Sequence, residues 1–381
     1  MTAIDSDIAD LAHLAHMDEC AVLDAVDDFL ARFIAYPNDH ARHAHTLWLA
    51  HTWRMDEWDS TPRLAFMSPE KGSGKTRSLE VSEHLVPRAV RVSQATTGYV
   101  LAKVSQEPPP TLFYDEIDTV YGQNARGNED LRAVLNAGHR RDATAGRGSW
   151  GPDGLTGQDY RAYCAVGLAG LGELPDTIAD RAVVISMKKR RHTERVEPWR
   201  GRLHGSEAKE LGERLSSWME TAVFRWPEDM PVQDRVADVW EALVMVADAA
   251  GGHWPATARM SAIILSSVDE GKRSHGVALL RDLQIVFSDR AKMPTQDILA
   301  GLCGLPESRW QDFHGHGTAI TDRDLSRLLR PYGIRSKDVW VGDRSAKGYT
   351  ADDLRDAWER YVHPSVVRED REIRDDLDAT R

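Results

Sequence analysis

Features that would place the chain in a membrane or outside the cell are missing from its 381 residues. No run of about 18 apolar residues occurs, so we expect no membrane-spanning segment and no membrane partner. Only three cysteines are present, Cys20, Cys164 and Cys303, and their wide separation excludes a disulfide framework and any zinc cage built from cysteines. The acidic start, MTAIDSDIADLAHLAHMDE, lacks the basic residues and apolar stretch of a secretory signal. We therefore expect a cytoplasmic protein.

An excess of positive charge is missing as well. The net charge is −12 at pH 7, which argues against a protein that coats nucleic acid through its bulk charge. The charge is uneven, however, because residues 187–202 and 323–347 are locally basic. Nucleic-acid binding depends on the charge of one face, so a local basic groove remains compatible with this sequence.

Short apolar runs alternate with helical patterns through the middle of the chain. The predicted strands are residues 63–68, 89–93, 111–115, 162–170 and 181–187. Strands that alternate with helices are typical of an α/β protein with a parallel sheet. The segment 142–162 is rich in glycine and turn residues, and it predicts a hairpin or ordered loop that projects from the sheet.

Helical patterns lie on both sides of this predicted sheet. Residues 21–35 and a segment ending near Trp53 predict two N-terminal helices, and residues 205–290 are helical in pattern. From about residue 276, further helices precede a strand–turn–strand, KDVWVGDRSAKGYT. Three helices followed by a β-turn wing are the pattern of a winged helix.

The run SPEKGSGKT differs at one position from a strict phosphate-binding loop, G-x-x-x-x-G-K-[ST]. Pro69 replaces the first glycine, which removes one N–H group at the start of the loop. The strand before the run and the helix after it are the context that the motif requires, because loop N–H groups and the helix N-terminus then converge on phosphate. We expect ATP and Mg²⁺ as ligands, with Lys75 reaching the phosphates and Thr76 the metal; the expected site is Gly72, Ser73, Gly74, Lys75, Thr76 and Arg77. A chance match in a loop is the alternative.

An acidic pair ends the predicted strand 111–115. Asp115 is placed to hold the Mg²⁺ shell, and Glu116 to orient and polarise an attacking water. A kinase that transfers phosphate to a small acceptor does not need such a glutamate, so the pair favours hydrolysis. The alternative is a helix cap with a solvated neighbour.

These motifs resemble those of AAA+ ATPases, and the chain resembles an uncharacterised family of AAA+-type P-loop proteins encoded by actinobacteria, phages and plasmids. The likeness covers residues 21–362, and it rests on such stretches as STPRLAFMSPEKGSGKTRSLEV, LFYDEIDTVYG, LAGLGELPDTIADRAVVISMKKR and DVWEALVMVADAAGGHW. The resemblance implies that Arg181 is an arginine finger acting on a neighbouring subunit in a homo-oligomeric ring, commonly a hexamer. It also implies that Arg235 is the sensor-2 arginine of a helical lid.

The alternatives are a helix-end pair of Arg181 with Asp176 or Asp180, and a plain surface role for Arg235. One position departs from the pattern of the superfamily. Where a polar sensor-1 residue is expected, the chain has Gly170 or Gly172.

Two regions point to DNA as a partner. The resemblance places a pore hairpin of helicases at residues 142–162, where Arg147 and Trp150 would touch a backbone and stack on a base. In the winged-helix-like module, the residues Arg323, Arg327, Arg330 and Lys337 are placed to contact phosphates. A solvated loop and a protein-docking module are the respective alternatives.

The fold expected is therefore an α/β P-loop NTPase of AAA+-like type. Its expected segments are N-terminal helices (1–60), an ATPase core (61–200), a helical lid (201–272), a winged-helix-like domain (273–363) and a polar tail (364–381). The expected function is an ATP-hydrolysing motor on DNA in phage or mobile-element replication, a helicase or helicase-associated ATPase with other replication proteins as partners. The alternative is an ATP-switched initiator, loader or regulator that binds DNA or protein without unwinding.

Overall fold

The computed structural model describes residues 20–121, 128–151, 154–191, 193–273, 275–306, 308–314, 317–341 and 344–362. Two compact units divide between Ser266 and Ser267. In the described part of the chain, no helix has the length and apolar character needed to cross a bilayer.

A five-stranded parallel sheet forms the centre of the first unit. Its strands are β1 (Arg63–Ser68), β2 (Val90–Val92), β3 (Leu112–Tyr114), β6 (Val166–Leu171) and β7 (Ala182–Ser186), in the order β2-β3-β6-β1-β7. Every residue of β1 is buried, as expected for a parallel strand covered on both faces. The predicted parallel α/β sheet is confirmed.

Helices cover both faces of this sheet. They are α1 (residues 20–33), α2 (Asp39–His51), α3 (Lys75–Ser82), α4 (Thr97–Val104), α5 (Asp118–Tyr121), α6 (Glu129–Ala137), α7 (Asp176–Ala179), α8 (Gly201–Thr221), α9 (Asp234–Ala250) and α10 (Trp254–Arg273). The side chain of Asn38 caps α2 by accepting the N–H of Ala41 at 2.9 Å.

Two hydrophobic cores lie on opposite faces of the sheet. Leu64 and Phe66 of β1 pack into the core that includes α1, α2 and α9, whereas Ala65 and Met67 pack into the core of α4 and α6. This alternation follows from the two-residue period of a strand, and it explains why a continuous apolar run forms β1.

The predicted projecting segment is an antiparallel hairpin. Strand β4 (Thr144–Gly151) pairs with β5 (Gly154–Arg161), from Thr144 opposite Arg161 to Gly151 opposite Gly154. The hairpin prediction is thus confirmed, while the side chain of Trp150 lies outside the described residues.

The second unit is a small α/β assembly with its own core. Its elements are α11 (His275–Phe287), β8 (Lys292–Pro294), α12 (Thr295–Cys303), α13 (Asp322–Leu329), β9 (Lys337–Val341), β10 (Arg344–Thr350) and α14 (Ala351–Tyr361). The three strands form an antiparallel sheet in the order β8-β10-β9. The strand–turn–strand of β9 and β10 was predicted, but β8 was not, because its three residues are a lysine, a methionine and a proline and form no apolar run.

Candidate functional site

The glycine loop, residues 69–74, joins the carboxyl end of β1 to the start of α3. Gly72 and Gly74 have φ of 81° and 89°, a left-handed conformation that other residues rarely adopt. The loop entrance at Pro69 is closed by Ser68, whose hydroxyl donates to the Glu70 carbonyl at 2.7 Å and accepts the Glu70 N–H at 3.1 Å. The loop is thus shaped by its glycines and by Ser68, with no need of a glycine at position 69.

Lys75, the first residue of α3, is turned back over the loop. Its Nζ donates to the carbonyl of Glu70 at 3.1 Å and to Oγ of Ser73 at 3.2 Å. Burial lowers the pKa of Lys75, while the carboxylates of Asp118 and Asp115 act in the opposite direction. A largely buried ammonium group is therefore held against the loop, with carboxylates nearby.

The hydroxyl of Thr76 and the carboxylate of Asp115 meet at this edge of the sheet. Oγ1 of Thr76 donates to Oδ1 of Asp115 at 3.3 Å, although β6 lies between β1 and β3. The same oxygen accepts the N–H of Glu116 at 3.0 Å. A hydroxyl beside a carboxylate is a donor set that suits Mg²⁺, which prefers oxygen ligands.

Glu116 has φ of 56°, a left-handed backbone that is uncommon outside glycine. Its side chain is exposed, whereas the neighbouring Ile117 is fully buried. Strained backbone of this kind costs about 1–3 kcal/mol and is concentrated at functional sites.

Asp118 is a member of this site that the sequence did not single out. Its Oδ1 accepts the N–H of Leu171 at 2.9 Å and so ties β6 to α5. Gly170 and Gly172, the two positions expected for a sensor-1 residue, differ in space: a Cβ at Gly170 would lie 2.7 Å from Cγ2 of Ile117 and 3.2 Å from the backbone nitrogen of Asp118, whereas a Cβ at Gly172, where φ is 77°, would meet no atom within 4 Å. The close approach of β6 to α5 leaves no room for a sensor side chain at position 170.

A cavity of about 500 Å³ adjoins the glycine loop. Its walls combine loop residues, apolar residues at and just after the end of α1, two arginines, and the segment 196–198, which includes a glutamate: Phe33, Ile34, Ala35, Gly72, Ser73, Gly74, Arg77, Arg190, Val196, Glu197 and Pro198. The sequence placed only the loop residues and Arg77 here. The other walls come from segments that are distant in sequence and carry no motif.

The remaining arginines that were predicted for this site lie at the opposite edge of the sheet. The carbonyl of Arg181 accepts the N–H of Arg63 at 2.8 Å, beside the amino end of β1. The glycine loop begins after the far end of that strand, roughly 17 Å away at about 3.3 Å per residue. The guanidinium of Arg181 donates to the carbonyl of Thr177.

Arg235, near the start of α9, contacts Oδ2 of Asp180 at 3.4 Å. Asp180 is the residue that precedes Arg181. The structure therefore brings Arg235 and Arg181 to one edge, and it does not bring either of them to the glycine loop of the same chain.

Several residues predicted to contact DNA pair with carboxylates of their own chain. Those pairs are Arg147 with Asp130, Arg327 with Asp324 at 2.9 Å, and Lys337 with Asp353 at 2.6 Å. Arg323 and Arg330 are exposed, and the structure shows no ion pair for them among the described residues. A DNA phosphate would have to compete with these carboxylates, of which Asp324 is buried, so the three paired side chains are less available to DNA than Arg323 and Arg330.

Comparison with known proteins identifies relatives of this chain. A family model described as a protein of unknown function (DUF3631) matches residues 186–361. An "Uncharacterized 28.9 kDa protein in xis 5'region" of Saccharopolyspora erythraea is 36% identical over 181 residues, which are 46% of this chain and 68% of that protein. The chain belongs to the family of this uncharacterised protein, whereas the expected AAA+-type P-loop character of the family stays a prediction. Neither description names an activity, so the ATPase assignment stays a prediction.

Among solved structures, the A-form apo structure of the NrS-1 C-terminal region is similar over 88% of this chain and 75% of that chain. The TM-score is 0.37 and the identity is 10%. A second structure of the same region, residues 305–718, gives a TM-score of 0.35. At these scores the match establishes no common fold.

Proposed function

We propose that the protein is a P-loop ATPase of AAA+-like type that binds ATP with Mg²⁺ at the carboxyl edge of its five-stranded sheet. The observation that carries this proposal is the contact between Thr76 and Asp115 beside the glycine loop. This contact supports the proposal because it joins two oxygen ligands, one from the loop helix and one at the end of a separate strand, that would suit the Mg²⁺ ion of a bound triphosphate.

Each side chain of this edge has a role in the proposed reaction. The N–H groups of the glycine loop and the ammonium of Lys75 would hold the phosphates, and the adjoining cavity would receive the nucleoside. Thr76 and Asp115 would hold Mg²⁺, which supplies neutralising charge for the phosphates. The exposed carboxylate of Glu116, next to Asp115, would orient the attacking water and take up its proton.

Arg181 would complete the site of a neighbouring copy. It lies at the amino edge, so it cannot serve its own glycine loop, and a guanidinium supplied in trans stabilises transition-state charge. The position of Arg181 supports assembly into a ring, in which the amino edge of one copy would face the carboxyl edge of the next. Arg235, which pairs with Asp180, would lie in the same interface between neighbouring copies.

Magnesium dependence tests the observation that carries the proposal. Wild-type protein should bind ATP more tightly with Mg²⁺ than with EDTA, and Thr76→Val and Asp115→Asn should lose most of that difference. Thr119→Val replaces an exposed threonine close to the site and should behave like wild type. Equal ATP binding with and without Mg²⁺, or unchanged Mg²⁺ dependence in both variants, would contradict the assignment.

DNA is the proposed partner of this ATPase, in phage or mobile-element replication. The exposed Arg323 and Arg330 of α13 and its following turn support contact with phosphates, in a unit that we interpret as winged-helix-like. The ion pairs of Arg147, Arg327 and Lys337 favour a second candidate, an ATP-switched protein that binds DNA or another protein weakly and does not unwind.

Strand displacement on forked DNA distinguishes these two candidates. ATP-dependent unwinding that Lys75→Ala abolishes supports the motor, whereas ATP-dependent binding without unwinding supports the switch. For either candidate, Arg323→Ala with Arg330→Ala should weaken DNA binding and reduce its salt dependence, since each lost phosphate contact lowers the slope by about one unit. An unchanged salt slope would remove α13 from the DNA-binding surface.

A further inference from the structure

A cysteine, an aspartate and a histidine meet far from the glycine loop. Cys20 and Asp24 lie one turn apart on α1, and His253 lies in the turn between α9 and α10. One ligand atom from each of them falls within 4.8 Å of the others. Because His253 is 229 residues from Asp24, no spacing in the sequence predicts this cluster.

Hydrogen bonds to Asp24 hold the three side chains of the cluster together. Sγ of Cys20 lies 3.4 Å from Oδ2 of Asp24, and Nε2 of His253 lies 2.9 Å from Oδ1 of Asp24. Around a tetrahedral zinc ion, with bonds of about 2.3 Å to sulfur and about 2.0–2.1 Å to nitrogen or oxygen, neighbouring ligand atoms are separated by about 3.3–3.5 Å. The three side chains therefore need only small shifts to share one ion.

Further contacts orient these side chains, as outer partners do in metal sites. Nδ1 of His253 lies 3.1 Å from Oγ1 of Thr257, which leaves Nε2 to face the cluster. The indole N–H of Trp254 donates to Asp24 at 3.0 Å, and the backbone N–H of His253 donates to the sulfur of Cys20.

The chain passes the sulfur at a position where only glycine fits. Gly252 has φ of 59°, and a Cβ on it would lie 2.7 Å from Sγ of Cys20. This turn lets the chain pass close to the sulfur, and it brings His253 to the side of α1.

We propose that Cys20, Asp24 and His253 bind a divalent transition metal of the zinc type. Thiolate, imidazole and carboxylate are the ligand types that zinc accepts, and three protein ligands leave a fourth position for water. Binding releases the thiol proton, since thiolate is the form that coordinates. The ion joins the start of α1 to the turn between α9 and α10, while the end of α1 supplies Phe33 to the cavity beside the glycine loop.

Cobalt substitution tests this site without reference to ATP. Purified metal-free protein titrated with Co²⁺ should bind one equivalent and develop a thiolate-to-cobalt charge-transfer band, which added Zn²⁺ abolishes. Cys20→Ser should lose the band, and His253→Gln, which replaces an exposed side chain, should weaken binding at least tenfold. Cys303→Ser removes another half-buried cysteine and should retain the wild-type spectrum.

Thermal unfolding provides the second readout. Zn²⁺ should raise the melting temperature of wild type and of Cys303→Ser, and it should not raise that of His253→Gln. The proposal is overturned if wild type gives no charge-transfer band, if Cys20→Ser keeps the band, or if His253→Gln binds Co²⁺ and responds to Zn²⁺ as wild type does.

Discussion

The carboxyl and amino edges of the five-stranded sheet differ in the functional groups that lie there. At the carboxyl edge, the glycine loop, Lys75 and the Thr76–Asp115 contact surround one space. At the amino edge, Arg181 and the Arg235–Asp180 pair lie together, at the opposite end of β1 from the glycine loop. Polar groups from strands distant in sequence converge at the first edge because all carboxyl ends of a parallel sheet meet there.

This difference bears on how many copies of the chain a complete site requires. An arginine at the amino edge is separated from its own glycine loop by the whole length of β1. If Arg181 acts in hydrolysis, it acts on another copy. The proposed ATPase therefore divides into two half-sites, and the predictions that follow separate the contribution of each edge.

Among substitutions at the amino edge, loss of Arg181 is expected to have the largest effect. Arg181→Ala should bind ATP nearly as wild type does and hydrolyse it roughly 10³-fold more slowly, since trans arginines contribute about 10³–10⁵ to the rate. Steady-state ATP turnover and ATP-binding titrations measure the two properties. Arg140→Ala removes another exposed, ion-paired arginine near this edge and should leave turnover unchanged.

Mixing two inactive variants sharpens the same prediction. Arg181→Ala keeps an intact carboxyl edge and Lys75→Ala keeps an intact arginine, so mixed assemblies should recover part of the wild-type turnover. Failure of every mixing ratio to restore activity, in samples shown to co-assemble, would contradict a trans role for Arg181.

Acid should lower the free energy of unfolding, because two buried histidines are neutral in the folded protein and one of them contacts the helix that follows the glycine loop. Buried His45 bridges the hydroxyls of Tyr36 and Ser82, the last residue of α3, at 2.6 and 2.8 Å. Burial lowers the pKa of His45 to about 3, and that of the buried His51 to about 4. Both pKa values lie below that of the unfolded chain, near 6.5. The unfolded state therefore binds protons first, and stability is lost as the pH falls below about 6.5.

Between pH 7 and pH 5 each of these histidines should cost about 2 kcal/mol of unfolding free energy. Thermal or denaturant unfolding at several pH values should show a smaller pH dependence in His45→Gln than in wild type. His275→Gln, which replaces an exposed histidine, serves as the control. Equal slopes for His45→Gln and wild type would show that His45 is not buried and neutral.

Gly170 tests the packing at the tip of β6. Gly170→Ala should lower the free energy of unfolding by about 1–3 kcal/mol, because the added Cβ would overlap Ile117 and crowd Asp118. Gly98→Ala, in α4, adds a methyl group to open space and should be neutral or slightly stabilising in a denaturant titration. A neutral Gly170→Ala would mean that α5 and β6 are not in close contact, and that a polar sensor side chain is sterically allowed at position 170.

The sequence predicted the carboxyl edge better than it predicted the amino edge. The apolar run of β1, the loop glycines and Asp115 can be recognised from short stretches of sequence. A buried strand requires consecutive apolar residues, and a left-handed turn favours glycine. The ion pair of Arg235 with Asp180 has no such local signal. The two residues are distant in sequence, and they meet only because α9 packs beside β7.

The cavity beside the loop was missed for the same reason. Phe33 and Pro198, which line it, are far apart in the sequence. In its own stretch of sequence, each resembles an ordinary core or turn residue. Asp118 was overlooked because its role is a hydrogen bond to the backbone of β6, which no motif records.

ATP hydrolysis by the purified protein tests the central claim most directly. With Mg²⁺ and ATP, wild type should release phosphate continuously, Glu116→Gln should bind ATP without releasing phosphate, and Lys75→Ala should do neither. Wild-type protein that shows no ATP binding, or Glu116→Gln and Lys75→Ala variants that hydrolyse ATP at the wild-type rate, would contradict the assignment of the carboxyl edge as an ATPase site.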